Sequence, residues 1–119
     1  MRTPYVHTAV VVLAPGADVA RPGGAVTLGL CGSWEHEPPC PLAAHHTGVE
    51  AVGDHLRLRI LFACEPADEV DVRDRIETAL AVGSVAGPDG RTSRWTLRGA
   101  GPGVVEPAEA AHADRLAQR

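Results

Sequence analysis

The sequence predicts an α+β fold: a small single domain over residues 1–119, with a mostly antiparallel sheet of about four strands and two helices. Three observations predict it. Residues 55–64 alternate as a half-buried strand does, with Leu56, Leu58, Ile60, Phe62 and Cys64 on one face and Arg57 and Arg59 on the other. Residues 68–82 carry Val72, Ile76, Ala79 and Leu80 at helical spacing. Turn signals at Pro15 and Gly16, at 21–24 and at 88–90 separate further strand-like runs.

Taken in order, residues 5–13 read as a first strand, dense in β-branched side chains and ended by Pro15 and Gly16. The run Arg21, Pro22, Gly23, Gly24 reads as a turn. A second strand is expected over 25–31, where Val26, Leu28 and Leu30 share one face and Thr27, Gly29 and Cys31 the other. The pattern then breaks, and 32–53 reads as a loop rich in Cys, His and Pro. After the strand at 55–64, Asp68 stands where a helix N-cap belongs, with Asp71 in the place of a capping-box acid. Asp71 with Arg75, and Arg73 with Glu77, are spaced as i,i+4 ion pairs on a solvated side. Gly83 sits at the C-terminal cap position. Residues 88–90 form a turn signal, and 92–98 alternate again with Trp95 and Leu97 inward. Residues 99–119 read as a Gly/Pro connector and a C-terminal helix starting near Pro107. The apolar face of that helix is thin, mainly Ala111 and Leu116, which hints at a protein partner or a homodimer. The expected order is β-β-(Cys/His loop)-β-α-β-α.

Composition narrows the function. The formal charge is −4, every basic side chain is Arg, and no basic stripe interleaves with aromatics, so nucleic-acid binding is not expected. No apolar run reaches bilayer-spanning length, and the run at 9–14 is too short for a signal-peptide core, so neither a membrane nor an export role is expected. Three cysteines, an odd number, argue against a disulfide framework and for a cytoplasmic location.

The chemistry-bearing segment is 31–46. It holds Cys31, His36, Cys40, His45 and His46 within sixteen residues, with Pro38, Pro39 and Pro41 between them. Thiolates and imidazoles at such spacing suit a tetrahedral zinc ion, and the prolines lower the entropy cost of ordering the loop. The expected ligands are Cys31, His36, Cys40 and His45, with His46 able to replace His45. The expected function is a small zinc-binding protein whose organised loop meets a partner. An open site on His36, His45 and His46, with Glu35 or Glu37 as general base, is the enzymatic alternative. Copper or nickel handling is a third reading, since mixed soft and imidazole donors suit those ions. A Cys31–Cys40 disulfide would compete with all of these. Trp34 reads as a shield against water. Cys64 reads as a buried inert thiol, His7 as a surface or satisfied core histidine, and His112 as solvated. Ser33 has no evident His/Asp partnership, and the Gly-rich stretches match no phosphate loop.

Overall fold

The structure, a computed structural model, describes residues 1–31 and 43–118, with the backbone alone at Cys31. Its elements are β1 (Thr3–Leu13), α1 (Arg21–Cys31), β2 (Ala44–Val52), β3 (His55–Cys64), α2 (Glu69–Val82), β4 (Ser84–Ala86), β5 (Thr92–Gly103) and α3 (Ala110–Ala117). Single 3-10 turns at Pro66–Asp68 and Pro107–Glu109 lead into α2 and α3. The strands form one five-stranded sheet in the order β2-β3-β1-β5-β4, every neighbouring pair antiparallel. β1 and β2 are therefore parallel and separated by β3, and β3 and β5 are parallel and separated by β1. This is the interleaved double βαβ of the ferredoxin-like arrangement, extended by β4 and by α3.

The α+β class and the antiparallel sheet hold, but the expected four strands and two helices become five and three. Residues 25–31, expected as a strand, belong to α1. The reason lies in a double periodicity. Val26 and Leu30 are in register for both a strand and a helix, while the buried set Pro22, Ala25, Val26 and Leu30 fits only the helix. The Pro-Gly-Gly run is the first turn of that helix, preceded by Asp18, whose carboxylate accepts the Ala20 N–H at 2.9 Å. Its glycines have a packing role: a Cβ on Gly29 would stand 3.1 Å from Ala79 Cβ on α2, and one on Gly23 would stand 3.3 Å from Thr47 on β2. Small residues let α1 lie close to both neighbours.

The stretch expected as loop as far as residue 53 contains β2, and the connector at 99–103 is the second half of β5. Glycine and proline are admissible there because β4 covers only Thr92–Arg94, and among the described residues no strand pairs with the outer side of β5 beyond. A register shift between Val10 and Val11 accommodates the change of alternation.

Two helices cover one face of the sheet and one covers part of the other. On the first face Ala9, Val11, Leu56, Leu58, Ile60, Phe62, Cys64 and Trp95 meet Val26 and Leu30 of α1 and Val72, Ile76 and Leu80 of α2. On the second, Val6, Ala44, Leu61 and Ala63 meet Ala113 and Leu116 of α3. The apolar contact of α3 thus comes from Ala113 and Leu116, whereas Ala111 is exposed. The outer half of that face, at Arg57 and Arg59, is left wet, as the alternation of β3 predicts.

The end of α2 is fixed from three sides. Gly83 has φ 73°, its N–H reaches Leu80 O, and a Cβ there would fall 2.7 Å from Trp95 O. The Trp95 N–H donates to Gly83 O at 2.9 Å, and the indole Nε1–H donates to Leu80 O at 2.8 Å. Trp95→Phe removes the indole donor and part of the ring. A loss of about 1–2 kcal/mol in chemical denaturation is expected, and an unchanged midpoint would refute the role assigned to the indole.

Candidate functional site

Of the five residues expected to bind metal, the structure describes His45 and His46 and the backbone of Cys31. His36 and Cys40 lie outside the described residues, as do Ser33, Trp34, Glu35 and Glu37. Cys31 is the last residue of α1, one helical turn beyond Thr27. His45 and His46 open β2, and the strand geometry turns them to opposite faces: His45 pairs in register with Phe62 on the α1 face, His46 with Leu61 on the α3 face. One ion cannot take both while β2 persists. Among the described residues, no three His, Cys, Asp or Glu side chains form a group able to hold a metal ion.

His45 lies between β2 and α1. Its Nδ1 is 3.1 Å from Ala43 O and its Nε2 is 3.1 Å from Thr27 Oγ1. A carbonyl only accepts, so the ring proton sits on Nδ1 and Nε2 carries a lone pair directed at α1. Thr27 also has Gly23 O within 3.3 Å, so its hydroxyl has a second acceptor at hand. A shallow hollow bounded by Ala20, Gly23, Thr27, His45 and Thr47 opens beside the imidazole.

The opposite face carries an open groove of about 750 Å³ between α3 and the outer half of the sheet. Arg59 crosses its floor. Its guanidinium makes a two-pronged contact with Glu109, Nε to Oε2 at 3.0 Å and Nη2 to Oε1 at 2.7 Å, and donates to Val104 O at 2.8 Å. The hydrogen bonds from Arg59 hold the Glu109 carboxyl below its ordinary pKa, helped by the Glu106 N–H; in return Glu109 pushes Arg59 upward. Glu106 and Glu109 close a capping box that starts the last helical segment. The His46 ring lies 4.9 Å from that of His112, so the histidine expected to be solvated packs across the groove instead.

The chain matches no model of a known protein family, and no curated protein is significantly similar to it.

Two further groups bear on chemistry. Cys64 is fully buried, and burial with Asp68 and Glu69 nearby pushes its thiol up to about 11, so it stays protonated and unreactive at neutral pH. His7 is buried on the α2 face. Arg73 Nη1 stands 3.0 Å from its Nδ1 and donates to Val6 O at 2.8 Å, while Arg73 Nε donates to Glu69 Oε2 at 2.8 Å. Arg73 thus pairs with Glu69, turned inward, and not with Glu77 on a solvated side; the other expected pair, Asp71 with Arg75, forms at 3.1 Å. Glu77 reaches His7 instead, Oε2 to Nε2 at 2.8 Å but off the ring N–H direction, so the neutral ring makes no well-formed hydrogen bond there and the pair becomes an ion pair only when His7 is protonated. A guanidinium only donates, which puts the His7 proton on Nε2. Burial holds the imidazole below its ordinary pKa; Arg73 acts in the same sense and Glu77 against it. No sequence motif announces this network. Its one trace is a histidine inside a β-branched strand.

Proposed function

We propose that the chain is a small cytoplasmic metal-binding protein in which zinc, held by Cys31, His36, Cys40 and His45, organises segment 31–46 for contact with a protein partner. The observation that carries the reading is the hydrogen bond from His45 Nδ1 to Ala43 O. It fixes the tautomer with the Nε2 lone pair free of a proton, the arrangement that metal-bound histidines adopt when their second nitrogen donates to a backbone carbonyl. That lone pair is aimed at the helix on which Cys31 lies one turn further on. Thr27 can turn its hydroxyl to Gly23 O when an ion takes its place. His46, on the other face of β2, has no part in this set. The buried, protonated Cys64 and the odd cysteine count suit a reducing compartment.

The test is elemental analysis of untagged protein purified without added metal. About one equivalent of zinc is expected. Cys31→Ala and His45→Ala are each expected to lose most of it, while His46→Ala keeps it. Copper or nickel in place of zinc would move the function to handling of those ions. Metal-free wild type, or His45→Ala with full occupancy, would sink the proposal.

A further inference from the structure

We infer that the outer edge of β2 pairs with the same edge of a second copy of this chain, antiparallel about Gly48, to join two sheets into one of ten strands. This inference does not depend on the metal reading.

The sheet treats its two edges differently. An exposed strand edge invites pairing, and proteins blunt it with short strands, prolines, bulges or charges. One edge here is blunted: β4 has three residues, and the open stretch of β5 contains Pro102 flanked by glycines. The other is blunted far less: β2 runs nine residues in unbroken register with β3, has no proline or bulge, and carries a single carboxylate, Glu50. Among the described residues, no strand pairs with its outer side.

The hairpin sets which backbone groups face out. Val52 pairs with His55 across the two-residue turn Gly53-Asp54, and Gly53 has φ 61°, as the primed hairpin turns require at that position. The pair closing such a turn is hydrogen-bonded, so even-numbered residues of β2 bond to β3. The N–H and C=O groups of Thr47, Val49 and Ala51 then point to the outer side, where no described strand pairs with them. A two-fold about Gly48 overlaps the whole strand, Ala44 against Val52. It makes Thr47 and Val49 of the two copies hydrogen-bonded pairs, two such pairs about the axis. The side chains agree with this register. Gly48 meets its own copy where backbones approach most closely, and no side chain intervenes. His46 falls opposite Glu50 of the second copy, and Glu50 opposite its His46, in non-hydrogen-bonded positions where cross-strand side chains are nearest. Within each copy Glu50 already faces Arg57 across the hairpin, so the row reads Arg, Glu, His with complementary charge. Val49, 43 % exposed, is covered by the pairing. The groove on the α3 side reaches His46, Gly48 and Glu50, so the grooves of the two copies meet at the axis.

The experiment is sedimentation of the full chain from micromolar to hundreds of micromolar, with two variants. Wild type is expected to rise toward twice the 12.4 kDa chain mass. Val49→Pro removes an outward N–H and leaves the bonds to β3, so it is expected to stay at one chain mass with an unchanged circular dichroism spectrum. Gly48→Cys, treated with oxidised glutathione, is expected to yield a covalent dimer whose disulfide maps by peptide mass to position 48 in both chains. Two thiols are oxidised there, and the oxidant is reduced to two glutathione thiols. A single chain mass at every concentration, undiminished association of Val49→Pro, or cross-links only at other cysteines would overturn the inference. Should Val49→Pro fail to fold, the presence or absence of the 48–48 link decides it.

Discussion

Phe62→Ala is expected to cost about 3–5 kcal/mol, a large share of the stability of a domain this size. Phe62 is completely buried in β3, and three groups depend on its ring. Tyr5, its cross-strand partner, has its ring 5.5 Å away, tilted by 31°. The Arg73 guanidinium carbon lies 5.2 Å from the ring centre on the α2 side. Val, Leu and Ile side chains surround the rest. Beyond Tyr5 and Arg73 the neighbours are aliphatic side chains, so most of the cavity is expected to persist. Urea denaturation of the variant and wild type measures the effect. A loss under about 1.5 kcal/mol would show that the surrounding helices collapse onto the site instead. Phe62→Leu, which keeps more of the volume, is expected to cost under about 2 kcal/mol.

Arg73→Met is expected to cost about 2–3 kcal/mol and to change the pH response of the fold. Met keeps the apolar stem over Tyr5 and Phe62 but drops the donors to Val6 O, His7 and Glu69. In the native protein the depressed His7 pKa means that the unfolded chain takes up a proton first as pH falls. The contribution of neutral His7 is therefore present above about pH 6.5 and is lost as pH drops toward the folded value, with a slope no steeper than about 1.4 kcal/mol per pH unit. Without Arg73, Nδ1 can carry a proton and Glu77 faces an imidazolium with no competing cation. Stability measured between about pH 7.5 and about pH 5.5 should then fall less steeply than in wild type. An unchanged slope would mean that the drop belongs to other groups.

How much of this was legible in the sequence follows from how strongly each segment is patterned. β3 and α2 were readable because their apolar residues are large and obey one period. β1 and the last helix were readable in type, though the face of the latter was misassigned: Ala113, not Ala111, lies a turn from Leu116 on the side that meets β1 and β3. α1 was not readable. Its buried face relies on Pro22, Ala25 and two glycines at contacts, residues that carry little hydrophobic signal and poor helix propensity. What makes it a helix is the fit against α2 and β2. β2 was hidden because an edge strand with one half-wet face needs little apolar alternation. The candidate ligands were visible as residue types, yet their division between two faces was not, since it exists only once 44–52 is known to be a strand. The contacts of His7 with Arg73 and Glu77 join residues sixty and more positions apart, and beyond a histidine set in a β-branched strand the local pattern carries no sign of them.

The placement of β1 has a kinetic consequence. It is the central strand, and its partners are β3 and β5, with Thr3 opposite Cys64 and Val6 opposite Gly103. When β1 leaves the ribosome neither partner yet exists, and one side of it stays unpaired until residue 103 has emerged. Loop closure over such separations comes before any reward in contacts, which slows folding. During that interval a strand rich in Val, with one edge still open after β3 has paired, is a segment exposed to chaperones or to wrong pairing. The order in which the sheet is synthesised is thus nearly the reverse of the order in which its middle can be completed.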